Sequence, residues 1–237
     1  MRPIESRPNP QLTDQPWEEA VPQATRWYRF NRGLMRAGAA ALWRIRVFNR
    51  HLEPPRGGTL YISNHQSFLD PMLVGFGLVR PMNYMARDSL FESPGLGRWI
   101  SSVNAFPVKR GKADMGAIKE AMRRLKAGGA VTIYAEGTRT RDGNVGRFMP
   151  GVSMIAQRSA DWVVPVCIEG AYDAWPRTQP LPSLGAHIVV QYAPPIPREQ
   201  ARELSAEQLL HSVRASIVDM QADIRRRLGK PPLPDSE

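Results

Sequence analysis

From Thr59 onward the chain alternates short, continuously apolar runs with stretches of helical periodicity. A run such as Leu60-Tyr61-Ile62 or Val163 to Ile168, apolar at consecutive rather than alternate positions, suits a strand covered on both faces. Strands of that kind separated by helices predict an α/β fold, a single domain built on a central, mostly buried mixed sheet flanked by helices. The spacing predicts strands at 59–63, 83–86, 103–108, 130–134, 163–168 and 187–192, and helices at 71–79, 94–101, 113–127 and 151–159. Lys126-Ala127-Gly128-Gly129 is a helix stop, and the proline-dense stretch 175–185 is a loop. Residues 198–228 read as one long charged helix or two shorter ones. The 237 residues are enough for one substantial core.

The stretch before this domain divides in two. Residues 1–24, rich in proline, glutamine and acids, read as a flexible tail, and they contain no apolar core of a signal peptide. Residues 25–50 read as an amphipathic helical segment holding seven arginines and no acid, ahead of a domain at 51–230. On a helix, Trp27, Phe30, Leu34, Ala37 and Ala41 share one face, while Arg26, Arg29, Arg32 and Arg36 share the other. That pattern fits a helix lying in an anionic membrane surface. It equally fits an ordinary domain helix with its apolar stripe on the core and its arginines in water. No segment approaches the ~20 apolar residues that span a bilayer.

The net charge of +10 calls for an anionic partner: nucleic acid, an anionic membrane or a phosphorylated substrate. No zinc-finger spacing or RNA-binding signature accompanies it, and no metal site, nucleotide-phosphate loop or dinucleotide fingerprint is visible. The single cysteine, Cys167, cannot form an internal disulfide and reads as a buried core thiol.

One segment concentrates reactive groups: Asn64-His65-Gln66-Ser67-Phe68-Leu69-Asp70-Pro71, directly after the first apolar run. A histidine that takes a proton needs a carboxylate to hold its tautomer and stabilise the imidazolium. On a helix, residues five apart point roughly 140° away from each other, so a meeting of His65 and Asp70 needs a turn between them. Asp70-Pro71 reads as the start of the following helix. His51, His187 and His211 have no such partner and read as surface or structural residues.

Four blocks in order, Asn64-His65-x-x-x-x-Asp70, Phe106-Pro107-Val108-Lys109-Arg110, Glu136-Gly137-Thr138-Arg139 and Val164-Pro165-Val166, resemble the glycerolipid acyltransferases. The resemblance is strongest to the bacterial 1-acyl-sn-glycerol-3-phosphate (lysophosphatidic acid) acyltransferases. It covers about Thr59 to Tyr192. It implies that His65 is the general base and Asp70 its orienting partner, with Asn64 in support. It implies that Arg110 and Arg139 bind the acceptor's phosphate, Lys109 being adjacent. Gly137 and Thr138 would turn the chain and present backbone amides to that anion, and Glu136 would hold Arg139 in place or, the less favoured reading, contact the glycerol. The acyl donor, acyl-CoA or acyl-carrier protein, is a co-substrate rather than a bound cofactor. The expected partners are that donor, a lysophospholipid acceptor and an anionic membrane surface at the cytoplasmic face, with no nucleic acid and no metal. Ser67 has no nucleophile's role in the pattern, and the groups that stabilise the oxyanion are not identified by it.

The chain also departs from the family. Ala135 stands where proline commonly precedes the glutamate, Tyr134 replaces phenylalanine, and Phe148-Met149-Pro150-Gly151 replaces a Phe-Lys-x-Gly turn, with Arg147 just before it. The missing cation bears on the head group, so another lyso-lipid such as lyso-ornithine lipid is the alternative acceptor. A membrane scaffold with a vestigial site and a basic nucleic-acid binder are the non-catalytic alternatives.

Overall fold

The computed structural model describes residues 24–109 and 114–233. The expected tail at 1–24 therefore falls, but for its last residue, outside the described residues. The chain runs α1 (Arg26–Leu42), β1 (Arg44–Phe48), β2 (Thr59–Ser63), α2 (Asp70–Val74), β3 (Met82–Arg87), α3 (Pro94–Ser102), β4 (Ala105–Val108), α4 (Met115–Lys126) and β5 (Ala130–Tyr134). It continues through α5 (Gly151–Ser159), β6 (Trp162–Glu169), α6 (Ala171–Ala174), β7 (His187–Tyr192), β8 (Ile196–Pro197), α7 (Arg198–Glu203) and α8 (Ala206–Arg227).

The eight strands form one mixed sheet in the order β1-β7-β6-β2-β5-β3-β4, with β8 on β6. The run β6-β2-β5-β3-β4 is parallel, β7 is antiparallel to β6, and β1 is parallel to β7. Leu60 and Ile62 point into a core shared with α4, α5 and α8. Tyr61, between them, points into a second core with α2, α6 and the end of α1. Strand alternation across a sheet covered on both sides explains why the central runs are apolar without a break.

Sequence chemistry sets the helix ends. Asp114 caps α4, its carboxylate accepting from Gly116 N (3.0 Å) and Ala117 N (3.1 Å). Arg123, Arg124 and Lys126 then occupy the last turn, where cations suit the helix dipole. Ser205 and Gln208 close a capping box on α8.

Two elements differ most from the sequence reading. The segment 25–50 is a helix only to Leu42; Arg44–Phe48 is an edge strand, with Arg44, Arg46 and Phe48 exposed and Ile45 and Val47 turned inward. The expected helix at 71–79 lasts only to Val74. A side chain at Gly75 would meet the Tyr84 hydroxyl at 2.6 Å, and one at Gly77 the Val47 side chain at 2.5 Å. These close approaches place a bend of small residues where a helix would need room. Of the two readings of the C-terminal pattern, the structure has the two-helix one, α7 and α8.

Candidate active site

The parallel strands β2, β5 and β6 lie side by side and in register, so the loops leaving their carboxyl ends converge. In open α/β sheets this is where ligand sites form. The loop after β2 carries Asn64 and His65, the loop after β5 carries Ala135 to Arg139, and β6 ends at Glu169.

Asn64 locks the first loop to β6. Its amide nitrogen donates to Ile168 O and its oxygen accepts from Ile168 N, both at 2.8 Å. The chain turns after His65, and Asp70 opens α2 with Pro71 in its first turn. That turn brings His65 Nδ1 to 2.6 Å from Asp70 Oδ2. The same oxygen accepts from Gln66 N (2.6 Å) and Ser67 N (2.7 Å). The carboxylate therefore fixes the loop as well as the ring. Asp70 is fully buried and His65 nearly so. With Nδ1 given to Asp70, Nε2 is the nitrogen left to take a proton.

Tyr134 lies parallel to the His65 ring, centroids 4.1 Å apart. Burial holds its phenol well above the ordinary tyrosine range. Glu136 accepts from His65 N at 2.9 Å, and Thr140 N donates to His65 O at 2.8 Å. Glu136, read from the sequence as a support for Arg139, thus fixes the backbone of His65. Burial raises its carboxyl to about 7, against the opposing pull of the His65 and Gly146 amides.

Gly137 adopts φ +70°, a left-handed turn suited to glycine. Its N–H donates to Tyr134 O at 3.0 Å. The expectation that this amide faces an anion is thus corrected: Gly137 supplies the turn, and its donor is used within it. Thr138 is exposed. The Arg139 guanidinium sits 3.4 Å over the Phe68 ring, which in turn packs on Trp175. Arg110 lies outside the described residues, and neighbouring Lys109 is exposed. Ser67 Oγ donates to Trp175 O at 2.7 Å, a structural bond. His51, His187 and His211 are exposed, and Cys167 is buried, its thiol pushed up by burial.

His65 and Arg139 share the lining of a mostly apolar cavity of about 400 Å³ with Met35, Met72, Ile100 and Tyr134. Helix α1 forms part of its wall. Arg32 donates to Val79 O (2.9 Å) and Arg36 to Leu78 O (2.8 Å) and Gly75 O (3.0 Å). Tyr28 Oη accepts from Met82 N, and Asn31 Oδ1 from Trp99 Nε1, each at 2.9 Å. Tyr28, Asn31, Arg32 and Arg36 are thus turned inward, Arg26 and Arg29 stay exposed, and Trp27, Phe30 and Leu34 are 51%, 62% and 63% exposed. The alternative of an apolar stripe packed on the core does not hold. No helix among the described residues is long and apolar enough to cross a membrane.

Sequence reasoning passed over Gln66, Glu169 and Gln221. Glu169 Oε2 accepts from Gln66 Nε2 (3.1 Å) and Gln221 Nε2 (2.9 Å). All three side chains are buried. Buried amides and carboxylates in apolar surroundings are the available signal, and it names no partner.

A buried histidine–aspartate pair thus lines a mostly apolar cavity at the carboxyl ends of parallel strands. The family model described as Acyltransferase matches residues 44–169, and the chain belongs to that family. It is 33% identical over 113 residues to the chloroplastic 1-acyl-sn-glycerol-3-phosphate acyltransferase of Arabidopsis thaliana, covering 47% of this chain and 32% of that one. It is 29% identical over 127 residues to the 1-acyl-sn-glycerol-3-phosphate acyltransferase of Bacillus subtilis, covering 53% of this chain and 63% of that one. The alignments thus span about a third of the plant protein and under two thirds of the bacterial one. The crystal structure of the 1-acyl-sn-glycerophosphate acyltransferase PlsC from Thermotoga maritima superposes with a TM-score of 0.72 at 23% identity, over 84% of this chain and 80% of that one. That likeness establishes the shared fold.

Proposed function

We propose that the chain moves a fatty acyl group from acyl-CoA or acyl-carrier protein to the free hydroxyl of lysophosphatidic acid, giving phosphatidic acid. The observation that carries this reading is the 2.6 Å His65–Asp70 pair lining an apolar cavity that Arg139 also lines. The names of the plant and bacterial relatives supply the acceptor.

In this reading the acyl chain occupies the cavity and the thioester carbonyl lies beside His65. His65 Nε2 takes the proton from the glycerol hydroxyl as its oxygen bonds to the carbonyl carbon. Collapse of the tetrahedral adduct breaks the C–S bond, and the imidazolium returns the proton to the departing thiolate. Asp70 holds the ring and stabilises its cationic form, a contribution of the size ordinary for general-base catalysis, ~10²–10⁴ in rate. A thioester is already activated, so a base and correct placement suffice without an acyl-enzyme. Arg139 binds the phosphate through its planar fork, with Arg110 sharing that duty and Thr138 beside it at the rim. The exposed stripe of α1 enters an anionic membrane surface, with Arg26 and Arg29 at headgroup level. The protein in this reading sits on the membrane without spanning it.

Met149, whose sulfur lies 2.8 Å from where a side chain at Gly137 would begin, stands where the family commonly has lysine. That substitution favours testing a second acceptor, lyso-ornithine lipid, beside the first. The deciding experiment measures thiol release and lipid product from palmitoyl- or oleoyl-CoA with each acceptor on anionic vesicles. Wild type makes phosphatidic acid and His65→Ala makes none. A His65→Ala variant as active as wild type would overturn the reading. If lyso-ornithine lipid alone is acylated, the acceptor is corrected and the base stands.

A further inference from the structure

We infer that Glu169 is a positioning residue for the catalytic pair, acting through Gln66, and that the C-terminal helix α8 is part of the active site by way of it. The inference rests on the catalytic role proposed for His65 and Asp70.

His65 stands between two residues that are each tied to one of the last two residues of β6. Asn64 makes its two bonds to the backbone of Ile168, and Gln66 Nε2 reaches the Glu169 carboxylate at 3.1 Å. The other end of the Gln66 amide accepts from Tyr172 N at 3.2 Å. Gln66 thus has its side chain held on β6 and α6 while its backbone N–H holds Asp70 Oδ2 at 2.6 Å. That oxygen is the one His65 Nδ1 uses. A shift of Gln66 therefore moves the acceptor that orients the base.

Glu169 is itself set from α8 and the residues after it. Oε2 also receives Gln221 Nε2 at 2.9 Å, and Oε1 receives Arg225 Nη1 at 2.7 Å and Lys230 Nζ at 3.2 Å. Two cations alone would satisfy an ionic tie between β6 and α8. The two amides do something further. Gln66 Nε2 and Gln221 Nε2 both bond Gly143 O as well, at 3.2 and 2.9 Å, so the loop after β5 joins the same cluster. The carboxylate is 1% exposed, and Gln66 and Gln221 are 1% and 4% exposed. A buried network satisfied at every member is stiff, because an unpaired polar group there carries a penalty of several kcal/mol. Gln221, Arg225 and Lys230 all lie beyond the segment that the family model matches.

The test compares wild type, Gln66→Met, Gln221→Leu, Gln66→Glu and the swap Gln66→Glu/Glu169→Gln. Gln66→Met keeps the side chain's length without its amide. Gln221→Leu removes the α8 contact while leaving the β2 loop untouched. We expect kcat to fall about tenfold or more in Gln66→Met and severalfold in Gln221→Leu, with KM for both substrates within about twofold, the pattern of a displaced base. Gln66→Glu sets two carboxylates against each other and loses more, and the swap restores an amide–carboxylate pair and recovers most of the rate. If Gln66→Glu fails to fold, Gln221→Leu decides. In parallel, the His65 Nδ1–H resonance in ¹⁵N-histidine spectra is expected to move or broaden in Gln66→Met and Gln221→Leu. That readout needs no turnover. A wild type that acylates nothing from either acyl-CoA or acyl-carrier protein overturns the proposed function, while the resonance still reports on the positioning. Variants that melt at lower temperature with unchanged kcat and unchanged His65 resonance overturn the inference and leave Glu169 a structural tie.

Discussion

Replacing Glu136 by glutamine changes how stability depends on pH by an amount the structure sets. An isolated glutamate titrates near 4.5, and burial lifts Glu136 to about 7. Between those values the folded chain keeps a proton that the unfolded chain has released. Stability from this group is therefore fully present below pH 4.5 and is lost as pH rises through 7. At 1.36 kcal/mol per pH unit the gap of 7 minus 4.5 is worth about 3 kcal/mol. Glu136→Gln keeps an oxygen for His65 N and has no proton to lose. Urea unfolding of both proteins from pH 4.5 to 8, followed by circular dichroism at fixed ionic strength, isolates this one group because every other titration cancels in the difference. Wild type should lose about 3 kcal/mol relative to Glu136→Gln across that range. Two stability curves running parallel from pH 4.5 to 8 would refute the assignment of a buried, proton-holding Glu136.

Asp70→Asn keeps an oxygen for the three donors that Oδ2 takes but removes the charge that stabilises the imidazolium; kcat should fall ~10²–10⁴-fold, read by thiol release under saturating substrates. Arg139→Ala should raise the acceptor's KM tenfold or more while kcat changes less, as for lost charge-assisted phosphate bonds of about 1.5–3 kcal/mol. Trp27→Ser/Phe30→Ser/Leu34→Ser strips the exposed stripe of α1; co-sedimentation with anionic vesicles should drop by more than tenfold, since each large apolar side chain contributes ~1.5–3 kcal/mol when buried. Gly58→Ala would drive a methyl into Leu125 O, and should lower stability by about 1–3 kcal/mol in a thermal melt, an overpacking effect.

What could be read in the sequence and what could not divide along a physical line. The strands Thr59–Ser63, Ala130–Tyr134 and His187–Tyr192 were legible to the residue because burial on both faces sets consecutive apolar residues within each. His65 and Asp70 were legible as a pair through the four ordered blocks, the four residues between them leaving room for one turn. β1 was not, because its arginines continue the basic run of α1 and its alternation spans just five residues. Periodicity gave α1 two faces without saying which turned inward. The answer lies in carbonyls at the end of α2, Gly75 O and Leu78 O, which Arg36 satisfies, and free carbonyls have no sequence signature.

The same reasoning explains why the side chains that support His65 were invisible while the His65–Asp70 pair was not. Glu136 reaches a backbone N–H, a donor that every residue but proline carries, so nothing in the sequence could name His65 as its partner. Glu169 meets Gln66 and Gln221 only once β6 pairs with β2 in register and α8 packs across the sheet. The chemistry is thus local in the chain, and its rigidity is assembled from distant parts of it. Under the proposed mechanism, changes at Glu136, Glu169 or Gln221 should therefore act on the rate through the geometry of His65. Measurements that separate kcat from KM, and both from melting temperature, tell such positions from ones that only hold the fold together.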